Sequence, residues 1–263
     1  MSEKKLMKGN EAIAEAAIRG GCRYFFGYPI TPQNEIPEYM SWRIREVGGD
    51  FVQAESEVAA INMVYGAAGA GARAMTSSSS PGISLKQEGI SYIACAELPC
   101  VIVNMVRSGP GLGGILASQC DYFQTVKGGG HGDYKLLTYA PSTVQEAVDI
   151  LYYAFDKADE YRTPVCILGD GLLGQIMEPV TFPEMKEMPD PSTKSWAVTG
   201  THHGKDKTLA SSIYIDPNLG EAQNNHLVEK FERIAQKETQ CEEFMCDDAE
   251  IILTGYGSVG RII

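Results

Sequence analysis

Short apolar segments alternate with helical patterns from residue 10 to residue 169 of the chain. Apolar strands that alternate with helices build a parallel sheet that is covered by helices on both faces. In such sheets, ligands bind beyond the carboxyl ends of the strands. The pattern therefore predicts a doubly wound, mostly parallel six-stranded α/β sheet. Its strands are expected at residues 22–28, 50–54, 72–76, 100–106, 136–140 and 163–169.

Capping signals indicate where the first helices begin. Asn10 is the expected N-cap of the first helix, and Ser56 that of the third. For the second helix, Thr31 is a plausible N-cap, because Pro32 then occupies the first helical position. This assignment places Thr31 at the carboxyl end of the first predicted sheet strand.

The composition of the chain changes after the last predicted sheet strand. We predict one compact domain over residues 1–178, because prolines and charges crowd the stretch that follows. Residues 179–246 are expected to be an extended arm and linker with one helix at about 217–238. Residues 247–263 are expected to be the truncated start of a second α/β domain, with a strand at 248–254.

Charge and hydropathy exclude several classes of function. The formal net charge is −12 and the pI about 4.8, which argues against nucleic acid or an anionic membrane as partner. Neither an apolar leader at the N-terminus nor an apolar run long enough to span a membrane is present, so we expect a cytoplasmic protein. The seven cysteines include no C-x-x-C pair, which favours reduced buried thiols over an iron–sulfur or zinc site.

Polar residues cluster where the predicted strands end, and these residues are the candidates for catalysis. Glu57 follows the cap Ser56 and has apolar neighbours, so it is either a poised carboxylate or a first-turn acid that only stabilises its helix. Arg107 ends an apolar strand beside a glycine-rich loop and is either a clamp for a carboxylate or a surface arginine. Thr31 and the serine turn are either ligand contacts or ordinary caps. The residues of that turn proposed to bind a cofactor are Ser79, Ser80, Pro81 and Gly82.

Two glycine patterns leave a different enzyme class open. Gly109, Gly111 and Gly114 match G-x-G-x-x-G, and so does a second triplet that starts at Gly255. Each follows a predicted strand, as a dinucleotide fingerprint requires, so an NAD(P)-dependent dehydrogenase remains an alternative. His131 lies in a glycine loop that is able to close over a substrate or to stay solvated. The adjacent pair at positions 202 and 203, His202 and His203, has no partners at metal-ligand spacing, and we predict no metal site in the chain.

Five stretches of the sequence resemble the thiamine-diphosphate-dependent 2-oxoacid:ferredoxin oxidoreductases, in particular the enzymes for branched-chain 2-oxoacids. The stretches are YPITP, QAESEVAA, GARAMTSSSSPGISL, AELPCVIVNMVRSGPGLGG and KGGGHGDY. The resemblance implies that residues 1 to about 180 are a pyrimidine-binding domain. It implies that Glu57 hydrogen-bonds N1′ of the aminopyrimidine, so that the cofactor serves as its own base. It also implies that Thr31 and Arg107 contact the cofactor and the substrate carboxylate. We predict that Gly111 and His131 bind the substrate as well.

The same resemblance predicts that the cofactor is shared between chains. Gly169-Asp170-Gly171 matches the start of a thiamine diphosphate motif, but the asparagine expected about 25 to 30 residues later is missing. Mg²⁺ and iron–sulfur clusters are therefore expected in partner subunits. The implied partners are a beta-type subunit that holds the diphosphate, gamma- and delta-type subunits, coenzyme A and, indirectly, ferredoxin, in a dimer of hetero-oligomers.

The predicted activity is the oxidative decarboxylation of 2-oxoisovalerate, or a related branched-chain 2-oxoacid, to its acyl-CoA. Besides the dehydrogenase, a non-catalytic assembly subunit remains an alternative.

Overall fold

The computed structural model describes residues 4–200 and 207–263. Its strands are β1 (Lys5–Lys8), β2 (Tyr24–Gly27), β3 (Asp50–Gln53), β4 (Ala74–Ser78), β5 (Cys100–Val106), β6 (Leu137–Tyr139), β7 (Pro164–Asp170) and β8 (Met177–Val180). Its α-helices are α1 (Gly9–Arg19), α2 (Glu35–Glu46), α3 (Glu57–Gly69), α4 (Pro81–Cys95), α5 (Tyr122–Val126), α6 (Val144–Tyr161), α7 (Gly171–Gln175), α8 (Pro217–Glu238) and α9 (Gly257–Ile262).

Six strands form one parallel sheet in the order β3-β2-β4-β5-β7-β6, which confirms the predicted fold class. Successive residues of the central strand β5 point to opposite faces, as in any strand. Val101 and Val103 pack with helices α1, α2 and α6, whereas Cys100 and Ile102 pack with α3 and α4. The sheet is therefore buried on both faces, and its carboxyl edge is the place where polar groups gather.

A second, two-stranded sheet was not predicted. β1 pairs antiparallel with β8, in a register that joins Lys5 to Val180 and Lys8 to Met177. The residues that follow β8 form the predicted arm, but the arm lies on the domain. Its backbone donates from Lys186 to Arg19 O and from Val198 to Gly69 O. The expectation that the compact domain ends near residue 178 thus missed the packing of the arm.

Two predicted helix starts are wrong. Asn10 is not a cap: it is fully buried inside α1, and its side-chain amide donates to Pro32 O at 2.8 Å. Thr31 does not begin α2, which starts at Glu35 after a turn. The amide of Asn10 holds this turn against α1, and the side chain of Asn10 is therefore engaged outside its own helix.

The C-terminal residues contain one confirmed helix and one wrong strand. α8 spans Pro217–Glu238, as predicted. Residues 248–254 form no strand in the described part of the chain, and Ile251, Ile252 and Leu253 are exposed. A strand needs a neighbour for its backbone hydrogen bonds, and no described strand lies beside this segment. His202 and His203 lie outside the described residues. Within the described ranges, no helix is both long and apolar enough to cross a membrane.

Candidate active site at the carboxyl edge of the sheet

Glu57 is a buried carboxylate at the first position of α3. Its N-cap is Ser56, whose hydroxyl accepts from Ala59 N at 3.2 Å, as the sequence predicts. Only 7% of Glu57 is exposed. No hydrogen bond to its carboxylate is found among residues 4–200 and 207–263. An unpaired buried charge is costly, so this carboxylate is available for a ligand that brings its own donor.

The serine turn between β4 and α4 lies against this carboxylate. A side chain on Gly82 would place its Cβ 2.7 Å from Oε1 of Glu57, so only glycine fits without displacing the acid. The hydroxyls of Ser78 and Ser79 are buried, and neither has a hydrogen-bond partner among the described residues. The turn therefore offers free polar groups beside a free carboxylate.

Ser80 gives the turn its shape. Its φ is +24°, a conformation that residues with a side chain rarely adopt. The backbone N–H of Ser80 donates to the side-chain oxygen of Asn104 at 3.1 Å, and the amide of Asn104 donates to Asp121 at 2.9 Å. Pro81 then occupies the first position of α4. A strained turn held by a fully buried asparagine is typical of a functional site.

Arg107 connects the serine turn to two other loops. Its backbone N–H donates to Ser80 Oγ at 3.0 Å. Its guanidinium donates to Thr31 O at 3.0 Å and to Leu112 O at 2.8 Å. Only 6% of Arg107 is exposed, and its Nε has no partner among the described residues. The structure thus brings Thr31, Glu57 and Arg107 to one edge, but most of the guanidinium already binds backbone carbonyls.

The two predicted loop residues lie at the margin of this site. Gly111 precedes Leu112, has a φ of +72° and has open space around it. His131 is exposed, and no hydrogen bond of its ring is found in the described residues. Its loop is fixed to α4 through Tyr134, whose hydroxyl donates to Gln87 at 2.7 Å. A role of His131 in substrate binding stays a prediction.

Neither glycine pattern has the surroundings of a dinucleotide fingerprint, which needs a strand before it and a helix opening within it. The first pattern, Gly109 to Gly114, opens no helix, since the next helix begins at Tyr122. The second opens α9 at Gly257, but the described element before it is the helix α8, and no strand leads directly into it. Both therefore argue against the dehydrogenase alternative.

Comparison with known proteins identifies the family. A family model described as pyruvate flavodoxin/ferredoxin oxidoreductase, thiamine diphosphate-binding, matches residues 15–243. The chain belongs to this family. The predicted family is thereby confirmed, and with it the prediction of a thiamine-diphosphate-binding domain.

Relatives of the oxidoreductase family carry the name of an enzyme subunit, in line with the predicted enzyme class. The ketoisovalerate oxidoreductase subunit VorB of Methanothermobacter thermautotrophicus is 53% identical over 258 residues, which are 98% of this chain and 73% of that protein. The 2-oxoglutarate synthase subunit KorA of the same organism is 46% identical over 185 residues, which are 70% of this chain and 49% of that protein.

A solved structure of the oxidoreductase family shares the fold. It is the 2-oxoglutarate:ferredoxin oxidoreductase from Magnetococcus marinus with 2-oxoglutarate, coenzyme A and succinyl-CoA bound. Its TM-score is 0.79 at 27% identity. The match covers 91% of this chain but 46% of that one, so the present chain spans about half the length of its structural neighbour.

Sequence reasoning missed three buried polar residues at the candidate site: Gln33, Lys86 and Asn104. Gln33 lies in the turn before α2 and accepts from Ser77 Oγ. For the other two, a signal was present. Asn104 interrupts the apolar strand CVIVNMV, and Lys86 stands in line with Ile83 and Ile90 at helical spacing on the buried face of α4. A polar residue within an apolar stripe indicates a buried side chain that forms specific hydrogen bonds.

Proposed function

We propose that the Glu57 site holds the aminopyrimidine end of thiamine diphosphate, in a subunit of a 2-oxoacid:ferredoxin oxidoreductase. The observation that supports this most is Glu57 itself, a carboxylate that is 93% buried and that no described residue pairs by hydrogen bonding. A buried acid of this kind is the acceptor that a heterocyclic nitrogen needs when it must be held in its protonated form.

Three features of the site fit such a ring. Gly82 leaves room beside the carboxylate that any other residue would fill. The free hydroxyls of Ser78 and Ser79 provide buried donors and acceptors for ring nitrogens. The backbone strain at Ser80 holds this surface in place before a ligand arrives.

The residues of the chain have separate tasks in this proposal. Glu57 accepts a hydrogen bond from the pyrimidine and holds the proton there. Gly82 and the buried serines bind and orient the ring, and the surrounding apolar helices exclude water. When bound, thiamine diphosphate supplies the electron sink for decarboxylation of a 2-oxoacid. Arg107 orders the loops around Thr31 and Leu112, and its Nε, which has no partner among the described residues, is available for a substrate carboxylate.

We further propose that a partner chain holds the diphosphate and Mg²⁺. In this chain, the carboxylate of the Gly-Asp-Gly motif is already engaged, because Asp170 accepts from Leu173 N at 2.9 Å and from Ser258 Oγ. The remaining partners proposed are gamma- and delta-type subunits with iron–sulfur clusters, ferredoxin reached through them, and coenzyme A. We place the complex, a dimer of hetero-oligomers, in the cytoplasm.

For the substrate, we propose 2-oxoisovalerate or a similar branched-chain 2-oxoacid. The identity to the ketoisovalerate subunit VorB, 53%, exceeds that to the 2-oxoglutarate subunit KorA, 46%. The kcat/KM of the complex for the two 2-oxoacids tests this choice. A preference for 2-oxoglutarate would overturn the substrate and leave the cofactor site untouched.

The decisive experiment replaces Glu57 and a matched neighbour. In the assembled complex, we expect Glu57→Gln to lower turnover by about 10²- to 10⁴-fold, the usual contribution of a positioned acid or base. Glu55→Gln is the control, since it makes the same chemical change at an exposed position two residues away. Turnover, thiamine diphosphate binding and complex size are measured for both variants.

Full activity of an assembled Glu57→Gln complex would remove the catalytic proposal and favour a non-catalytic assembly subunit. Equal losses in the two variants would show that the acid acts through the fold and not through the cofactor.

A further inference from the structure

A fully buried lysine lies beneath the Glu57 site, and the proposed function gives it no role. Lys86 is in the second turn of α4, with 0% of its surface exposed. Its Nζ donates to Thr76 Oγ1 at 2.6 Å and to Ser77 O at 3.0 Å, both at the end of β4. The amine therefore ties α4 to the strand end from which the serine turn starts.

Packing alone does not explain a lysine at this position. Its neighbours along the buried face of α4 are Ile83 and Ile90, which pack with Ile61 of α3. A buried ammonium group costs free energy that an apolar side chain of the same length would not. The two hydrogen bonds offset part of this cost, but they leave the charge without a contacting counter-ion.

The charge of Lys86 acts on Glu57. Glu57 of α3 is the charged group that acts on Lys86, and the residues of β4 that contact its Nζ are the uncharged Thr76 and Ser77. Burial lowers the pKa of Lys86 to about 7, and the negative charge of Glu57 opposes that decrease. The attraction is mutual, so a protonated Lys86 and the Glu57 carboxylate stabilise each other.

We propose that Lys86 is a positioning residue for Glu57: its Nζ fixes the end of β4 under the serine turn, and its positive charge attracts the Glu57 carboxylate and holds it in place. This inference rests on the proposed function of Glu57. It adds that ligand binding at the Glu57 site depends on the charge of Lys86, a residue that does not itself contact the ligand.

The test is the pH dependence of thiamine diphosphate binding by the assembled complex, measured between pH 5.5 and pH 8.5. In Lys86→Met, we expect binding to weaken progressively below about pH 7 relative to wild type, by up to about tenfold. At the alkaline end of the range, the affinities of wild type and variant become equal, because the amine of Lys86 is then neutral in wild type.

A matched variant separates charge from structure. Thr76→Val removes one hydrogen bond of Lys86 and keeps its charge, so we expect any weakening to be the same at every pH. If Lys86→Met does not assemble, Lys86→Gln repeats the test, because glutamine is uncharged and still a donor. A pH-independent loss in the uncharged variants would overturn the proposed charge effect.

The Glu57→Gln complex distinguishes the two proposals. If it binds thiamine diphosphate and turns over like wild type, the proposed function fails. If it is inactive while Lys86→Met and Lys86→Gln keep the wild-type pH dependence, only the inference on Lys86 fails.

Discussion

The regions around Glu57 and Asp170 each place a buried carboxylate at the carboxyl edge of the sheet, but the two carboxylates differ in their hydrogen bonds. The exposed fraction is 7% for Glu57 and 5% for Asp170. Both oxygens of Asp170 are used, one by the backbone N–H of Leu173 and the other by the hydroxyl of Ser258. The carboxylate of Glu57 has Gly82, the free hydroxyls of the serine turn and the charge of Lys86 around it, and no hydrogen bond in the described structure.

The difference teaches how to separate a structural acid from a functional one. Both residues stand at a helix start, where the helix dipole favours a negative charge. Asp170 is engaged by its own chain, so it stabilises α7 and the docking of α9. Glu57 receives no such support in the described residues, which is the arrangement expected of an acid that binds a ligand.

The largest effect is expected from closing the space beside Glu57. In Gly82→Ala, the new Cβ would lie 2.1 Å from Ser78 Oγ and 2.7 Å from Glu57 Oε1, so the serine turn or the carboxylate has to move. Because small displacements at a site are costly, we expect thiamine diphosphate affinity to fall by about 100-fold. Calorimetric titration of the assembled complex measures this loss.

The control for that change is a glycine with free space on the same helix as Glu57. Gly66 lies on the exposed side of α3 and has nothing within 4 Å of an added Cβ. Gly66→Ala is expected to raise the free energy of unfolding by up to about 1 kcal/mol and to leave affinity unchanged. If Gly82→Ala binds thiamine diphosphate with wild-type affinity, the space beside Glu57 is not a ligand site, and the contrast with Asp170 fails.

A second test uses Lys86, the buried lysine near Glu57, and measures how the free energy of unfolding depends on pH. Because the pKa of Lys86 is lowered to about 7, the unfolded chain binds more protons than the folded chain above that pH. The free energy of unfolding therefore rises with pH through this window, by up to about 1.4 kcal/mol per pH unit.

Lys86→Met abolishes this contribution. Denaturant unfolding of wild type and variant at pH 7.0, 7.75 and 8.5 shows it as a difference in slope, since other groups titrate alike in both proteins. Identical slopes would mean that Lys86 does not change its charge near pH 7.

The smallest effect is expected at Asp170. Asp170→Ala removes the cap of α7 and the contact to Ser258, which should lower the free energy of unfolding by about 1 kcal/mol. Amide hydrogen exchange in residues 257–262 becomes faster, whereas thiamine diphosphate affinity stays as in wild type. Ser258→Ala is the control, because it keeps the cap and loses only the contact with α9. A loss of cofactor affinity in Asp170→Ala would contradict its structural role.

The sequence was sufficient for the sheet and for helices with strong local signals. The cap Ser56 and the long helix α8 are where the pattern predicts them, because a capping hydroxyl or a sustained helical period acts within a few residues. Thr31 was assigned to a helix start for the same local reasons. The turn instead depends on distant groups, the amide of Asn10 and the guanidinium of Arg107.

The position of the candidate site could be predicted from the sequence, but several of its buried polar residues were missed. Strand ends place Glu57, Ser80 and Arg107 at one edge, since parallel strands share a direction. Residue type alone predicts that Lys86 and Asn104 are exposed, as lysine and asparagine mostly are, and only their positions within apolar stripes indicate that they are buried. The predicted strand at 248–254 failed for a related reason: an apolar run becomes a strand only beside another strand.

The pairing of β1 with β8 sets an order of events during synthesis of the chain. Lys5 meets Val180, so the first strand to leave the ribosome waits for one of the last parts of the domain. At about 5–20 residues per second, the delay is on the order of 10–30 s. During that time the strands of the main sheet can already be paired. The two-stranded sheet of β1 and β8 then forms beside a main sheet that was completed without it.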